Sequence, residues 1–109
     1  MKNTAAARLL RSQLALAKPL INNCSLSAMR WGQDKLGKML PGQYKSATSC
    51  EELTIHGLSC AMITPKDEIS SGVILYLHGG GYIAGRLDYA KGFATVLSAN
   101  CGMRVLAVA

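Results

Sequence analysis

The residues best suited to chemistry are three consecutive glycines, Gly79 to Gly81, which follow His78 and precede Tyr82. Glycine loses more conformational freedom on folding than other residues, so a run of three requires a physical reason. Either the backbone adopts conformations closed to other residues, or a ligand approaches the main chain closely. Both conditions are met in an oxyanion hole, where peptide N–H groups point at a negatively charged oxygen. The run therefore indicates a site formed by the main chain.

An apolar strand precedes this loop and a helix follows it. Val73 to Leu77 form a continuous apolar run, typical of a strand buried on both faces of a parallel sheet. Asp88 is the predicted cap of a helix that continues to about Asn100, and Gly102 occupies the left-handed position after it. Met103 to Ala109 form the next predicted strand. The apolar side of the predicted helix comprises Tyr89, Phe93, Val96 and Leu97.

Strand, helix and strand make one βαβ unit with an expected right-handed crossover, so the fold class is α/β. The unit places the glycine loop at the carboxyl end of a strand, where α/β proteins bind ligands. The final strand stops without a turn or cap, and the sequence is interpreted as cut short, with that last strand as an unprotected edge.

A β-hairpin is predicted before the βαβ unit. Residues 52–55 and 58–64 alternate with period two around His56-Gly57, a two-residue turn. Pairing Ile55 with Leu58 puts Cys50 opposite Ile63 rather than opposite Cys60, which disfavours a disulfide between the two cysteines. In this register five side chains share one face of the hairpin, which is the predicted core face: Leu53, Ile55, Leu58, Cys60 and Met62.

Two helices are predicted in the N-terminal region. Residues 4–17 have helical periodicity, with Pro19 ending the segment. Residues 26–40 form the second helix, capped by Ser25 and stopped by Pro41-Gly42. The apolar stripe of the first comprises Ala6, Leu9, Leu10, Gln13, Leu14 and Ala17. These helices are interpreted as a packing or lid element.

Composition limits the class of protein. The 109 residues suffice for one small domain, and 50% apolar content excludes a disordered charged tail. The net charge is +6, and residues 1–45 hold a single acid, Asp34. Such an imbalance is found in nucleic-acid-binding and membrane-surface segments, but the preferred interpretation is a solvated helix surface. No nucleic-acid partner is expected.

Neither export nor a membrane span is expected from the sequence. Arg8 and Arg11 interrupt what would be the apolar core of a signal peptide, and no stretch approaches about 20 apolar residues. The four cysteines lack Cys-x-x-Cys spacing and clustered histidines, so no zinc site is expected. Reduced thiols without an export signal predict a cytoplasmic protein.

The segment Val73-Ile-Leu-Tyr-Leu-His-Gly-Gly-Gly-Tyr-Ile-Ala-Gly, followed by a helix and Val105-Leu-Ala-Val-Ala, resembles the hormone-sensitive-lipase branch of the α/β-hydrolases. The resemblance covers residues 52–109 and implies a carboxylesterase or lipase without a cofactor. It divides the chain into cap helices (residues 1–45) and the start of a catalytic domain (residues 46–109). It also implies a small-molecule ester as the substrate, and leaves the oligomeric state open.

The same resemblance implies roles for the loop. The peptide N–H groups of Gly80 and Gly81 would face the ester carbonyl oxygen, His78 would hold the loop in shape, and Tyr82 and Ile83 would border the substrate pocket. The family's Gly-x-Ser-x-Gly elbow, acid and histidine do not occur within the 109 residues, so the chain alone is predicted to be inactive.

Two other functions compete with this interpretation. Gly79-x-Gly81-x-x-Ala84 formally matches the dinucleotide-binding fingerprint, although that fingerprint opens directly into its helix. Here residues 83–87 intervene, and Asp88 would put a negative charge where the phosphate binds. The chain is alternatively a truncated or degenerate hydrolase without catalytic activity.

Overall fold

A computed structural model describes residues 4–80 and 85–109, which form helices and one mixed β-sheet. The helices are α1 (Ala5–Asn22), α2 (Leu26–Met39) and α3 (Leu87–Cys101), with a 3₁₀ helix at Gly42–Ala47 before the sheet. The strands are β1 (Thr48–Ile55), β2 (Leu58–Pro65), β3 (Val73–Leu77) and β4 (Arg104–Val108). This α/β architecture agrees with the predicted fold class.

The first helix is longer than predicted, because Pro19 lies inside its last turn and does not end it. Asn23 closes the helix instead, and its side-chain Nδ2 donates a 2.8 Å hydrogen bond to the carbonyl of Pro19. The second helix begins as predicted, since the Ser25 hydroxyl accepts a hydrogen bond from the backbone N–H of Ala28.

The hairpin is confirmed with its predicted register. Ile55 pairs with Leu58 and Cys50 with Ile63 in the antiparallel ladder of β1 and β2. His56 and Gly57 both have positive φ, 49° and 82°, the combination that a two-residue type I′ turn requires. All four cysteines are free thiols, and the register pairs Cys60 with Leu53 and not with Cys50.

The sheet has the strand order β1-β2-β4-β3. β4 is antiparallel to β2 on one side and parallel to β3 on the other. The expectation that the final strand would be an unprotected edge is therefore wrong, because β4 is central. β1 and β3 are the edges of the described sheet.

The core lies between one face of the sheet and α3, and it is built from small and β-branched residues. Its buried members are Ala61, Ile63, Ala90, Ala94, Val105 and Ala107. The hairpin face predicted as core is the opposite one: Cys60 is buried, but Ile55 and Leu58 are exposed. Period-two alternation gives two faces without saying which one the helix covers.

Two further expectations about burial, one for β3 and one for α3, are also wrong. β3 is not buried on both faces, since Leu75 is 61% and Leu77 68% exposed on the face away from α3. The predicted apolar side of α3 is not its buried side, and Phe93 is exposed. The buried residues of α3 are Ala90, Gly92, Ala94, Thr95 and Ser98. Small side chains allow the helix to approach the sheet closely.

α2 crosses α3 at two glycines. A Cβ built on Gly92 would collide with the backbone of Gly37, and one on Gly37 would collide with the backbone of Tyr89. The absence of side chains at both positions therefore permits the crossing. α3 ends at Gly102, whose φ of 62° confirms the predicted left-handed position. No helix in the described part of the chain is long and apolar enough to cross a membrane.

Candidate functional site around the glycine loop

The glycine loop begins where β3 ends, on the side of the sheet at which α3 begins. Gly80 has φ 150°, a conformation that residues with a side chain rarely adopt. A Cβ on Gly79 would meet no atom within 4 Å, so the backbone is openly accessible there. Gly80 is therefore a glycine whose backbone conformation is unfavourable for other residues. Gly79 is one at which a ligand could approach the main chain closely.

His78 contacts the residues on both sides of the loop. Its ring Nδ1 lies 2.8 Å from the carbonyl oxygen of Gly79, and since a carbonyl only accepts, Nδ1 carries the proton of this hydrogen bond. The ring meets Tyr89 of α3 edge to face, with centroids 6.3 Å apart. It also fills the space in which a side chain at Gly85 would lie, and Gly85 has φ 116°. The imidazole therefore joins the two ends of the loop.

A cluster of charges surrounds the first turn of α3. Asp88 is not the predicted cap: the N-cap position is Arg86, which makes no side-chain capping bond, and Asp88 lies inside the helix. The Asp88 carboxylate pairs with Lys91 at 3.1 Å and with Lys38 of α2 at 3.5 Å. The hydrogen bond from Lys91 lowers the pKa of Asp88.

Lys91 also binds Glu52 of β1, and that hydrogen bond is the main reason that the pKa of Lys91 is raised. The paired charges link α2, α3 and β1. A negative charge at the start of a helix is favourable in itself, because it faces the positive end of the helix dipole. No ligand is needed to explain Asp88.

Arg86 connects the loop to α2. Its guanidinium lies 3.8 Å from the carboxylate of Asp34. The two residues line an open depression of about 630 Å³, whose other lining residues are Leu26, Ser27, Arg30 and Trp31. This contact could not be predicted from the sequence, since nothing in the local pattern relates Asp34 to a residue 52 positions later.

The described residues include only part of the predicted site. His78 and Gly80 lie in the loop as expected, whereas Gly81, Tyr82, Ile83 and the fingerprint residue Ala84 lie outside the described residues. Residues 4–80 and 85–109 contain no group of three or more His, Cys, Asp or Glu side chains arranged to hold a metal. Ser70 accepts a hydrogen bond from the N–H of Gly72, in the turn before β3.

Known proteins with similar folds are esterases. The chain superposes on an esterase/lipase from an uncultured bacterium with a TM-score of 0.64 and 22% identity, over 87% of this chain and 33% of that one. An esterase of the bacterial hormone-sensitive lipase family gives a TM-score of 0.62 and 24% identity, over 79% and 28% of the two chains.

The chain has the α/β-hydrolase fold. The curated relatives are named as hydrolases: the chain is 34% identical over 59 residues to LipR of Mycobacterium tuberculosis, which is named as an acetyl-hydrolase. It is 31% identical over 84 residues to the versiconal hemiacetal acetate esterase of Aspergillus parasiticus. No protein-family model matches the chain.

In sequence and in fold the chain is similar to hormone-sensitive-lipase-type esterases, as the loop sequence predicted. The matches cover 54% and 72% of this chain but only 19% and 26% of the two curated relatives. The chain therefore spans about a quarter or less of the length of those proteins.

Proposed function

We propose that this chain provides the oxyanion-binding loop of a serine-dependent carboxylic ester hydrolase. The observation that carries the proposal is Gly80, which has φ 150° at the carboxyl end of β3 in a His-Gly-Gly-Gly sequence. A glycine backbone can turn peptide N–H groups towards a substrate oxygen, and N–H groups that are fixed before the substrate arrives stabilise an oxyanion without reorganisation. The esterase relatives support the same chemistry.

In the proposed reaction a serine hydroxyl attacks the acyl carbon and a histidine takes its proton. The N–H groups of Gly80 and Gly81 then stabilise the negative oxygen of the tetrahedral intermediate. His78 is a positioning residue, because its Nδ1–H is bound to the Gly79 carbonyl rather than aimed at a reacting atom. Tyr82 and Ile83 border the acyl pocket in this proposal.

The nucleophile, its acid and its base are proposed to lie outside these 109 residues, which contain no Gly-x-Ser-x-Gly sequence. The chain alone is therefore expected to be inactive. Acetyl and other short acyl esters are the first substrates to test, since the names of both curated relatives refer to acetyl or acetate groups.

The proposal is tested by reading the coding sequence beyond Ala109 and assaying the complete product on p-nitrophenyl acetate. We expect a Gly-x-Ser-x-Gly elbow followed by an acid and a histidine, and hydrolysis that a serine-directed phosphonate abolishes. In that protein Gly80→Ala should lower turnover by about 10²–10³-fold. Gly32→Ala is the matched control, because a Cβ there meets no atom within 4 Å.

A reading frame that ends at Ala109 or lacks the serine would refute the esterase proposal and favour the non-catalytic alternative. The dinucleotide alternative has less support. α3 begins at Leu87, several residues after the glycines, and the carboxylate of Asp88 lies in its first turn.

A further inference from the structure

The His78 ring contacts the glycine loop on both sides of its centre. Before the centre, the imidazole Nδ1–H donates a 2.8 Å hydrogen bond to the carbonyl of Gly79. After it, Cε1 and Nδ1 of the ring occupy the space that a Cβ on Gly85 would take. Glycines have no side chains with which to hold a backbone in place, so the position of this ring bears directly on the position of the loop.

The position of the His78 ring depends in turn on Tyr89 of α3. The two rings meet edge to face, with centroids 6.3 Å apart and ring planes at 85° to each other. Aromatic pairs prefer this arrangement, because the positive edge of one ring faces the negative face of the other. Without the Tyr89 ring the imidazole would lose this neighbour and would be free to rotate away from the Gly79 carbonyl.

The backbone of Tyr89 is in turn fixed by α2. Gly37 is a buried residue of α2, and it lies so close to α3 that a Cβ on it would collide with the Cα and the N atom of Tyr89. A contact between two backbones has no flexible side chain that could absorb a displacement. The two ion pairs between α2 and the start of α3 have exposed cations, so they contribute less to this junction.

We propose that Tyr89 is a positioning residue of the oxyanion-binding loop, and that α2 is the support against which Tyr89 is fixed. Gly37 holds the backbone of Tyr89, and the Tyr89 ring packs on His78. His78 then contacts Gly79 and Gly85. Donors in a catalytic site must be held within about 0.5 Å of their productive position, which a glycine loop cannot achieve alone.

α2 is therefore a fixed wall of the site and not a lid that opens. This inference rests on the proposed ester hydrolysis, because it concerns how the N–H donors of that reaction are held. It adds a residue of α3 and a residue of α2 to the parts that the reaction needs. The contacts that carry it are made between described residues, and none of them requires an exposed surface.

The test uses the protein expressed from its complete reading frame, with p-nitrophenyl acetate as the substrate. Tyr89→Leu removes the aromatic ring and should lower kcat by about 10-fold or more, because small displacements of catalytic groups are costly. KM should stay within about two-fold of the parent value, since an oxyanion donor acts on the transition state and not on the bound ester. Tyr89→Phe keeps the ring and should retain kcat within about two-fold.

Phe93→Leu is the matched control. Phe93 lies one turn further along α3, and its ring packs on Tyr76 with centroids 5.2 Å apart. The substitution removes the same kind of ring from the same helix but leaves the pair of His78 and Tyr89 intact, so kcat should stay within about two-fold. An equal loss of kcat in Phe93→Leu would mean that any aromatic deletion in α3 disturbs the enzyme, which overturns the role of Tyr89.

Two kinetic outcomes for the Tyr89 variants would also overturn the proposal. A higher KM at unchanged kcat in Tyr89→Leu would mean that Tyr89 contacts the substrate. Equal losses of kcat in Tyr89→Leu and Tyr89→Phe would assign the effect to the hydroxyl group, and not to the ring that packs on His78.

NMR of the histidine side chains separates this proposal from the ester hydrolysis itself. The Nδ1–H signal of His78 should be present in the parent and in Tyr89→Phe, because the Gly79 carbonyl binds that proton. In Tyr89→Leu the signal should be lost through exchange with solvent. A signal that persists in Tyr89→Leu, or that is missing from the parent, would overturn the proposal. The expected pattern in a parent without esterase activity would refute the hydrolysis and leave Tyr89 as the residue that holds the loop.

Gly37→Ala tests the support that α2 provides. The new Cβ would displace the backbone of Tyr89, so both kcat and the His78 signal should fall, whereas Gly32→Ala in the same helix meets no atom and should change neither. An unchanged kcat and an unchanged signal in Gly37→Ala would show that α2 does not fix Tyr89. Thermal unfolding checks that each variant folds, and Tyr89→Leu decides the proposal if Gly37→Ala does not.

Discussion

At the scale of single residues, the His78 ring and Gly85 depend on each other. Gly85 has φ 116°, and the ring occupies the place of its missing side chain. Gly85→Ala should therefore displace the imidazole and cost about 1–3 kcal/mol of stability. Urea unfolding measures the loss, and the chemical shifts of His78 report its displacement. Gly79→Ala is the matched change, because its Cβ enters open space; a comparable cost there would contradict this account.

The carboxylate of Asp88 gives a prediction about pH. Its pKa is lowered in the folded protein, chiefly by the hydrogen bond from Lys91. Its contribution to stability is therefore present above the pKa of the unfolded chain and is lost as pH falls through the folded pKa. Because the side chain is 42% exposed, we expect Asp88→Asn to cost only about 0.5 kcal/mol at neutral pH.

As the pH falls below the folded pKa of Asp88, the variant and the parent should come to unfold at the same denaturant concentration. Asp67→Asn is the control for the removal of a carboxylate, since Asp67 forms no ion pair among the described residues. A difference for Asp88→Asn that persists in acid would mean that the amide disturbs packing and that charge is not the cause.

At the scale of elements, the crossing of α2 over α3 rests on two missing side chains. Gly92→Ala would drive a Cβ into the backbone of Gly37, which cannot yield as a flexible side chain does. We expect a loss of about 1–3 kcal/mol in unfolding free energy. Gly32→Ala in α2 meets nothing and should stabilise the helix by up to about 1 kcal/mol. Equal effects of the two substitutions would show that helix propensity, and not the helix crossing, determines the change in unfolding free energy.

The elements also show what sequence can reveal. The hairpin register was predictable because turn chemistry at His56-Gly57 and period-two alternation are both local. Which face of the hairpin is buried was not predictable, since it depends on where α3 lies. The glycine loop was found for a local reason as well, whereas the Arg86–Asp34 contact and the Gly37–Gly92 crossing join distant parts of the chain.

At the scale of the whole molecule, the two sides of the sheet differ in what they contribute to stability. Val105 is completely buried under α3, so Val105→Ala should cost about 2 kcal/mol. Leu75, in the register position beside Leu106, is 61% exposed, so Leu75→Ala should cost well under about 1 kcal/mol. Thermal unfolding of both variants measures the contrast. A large loss for Leu75→Ala in the complete protein would show that further chain covers this side.

The central position of β4 has a consequence for biosynthesis. The hairpin and β3 each pair with β4, and the described ladders contain no pairing between the two. During translation both must wait, unjoined, until Arg104–Val108 have left the ribosome. The four described strands then join only after β4 has been made, so a nascent chain that has not yet reached Arg104 holds the start of the glycine loop without the framework that positions it.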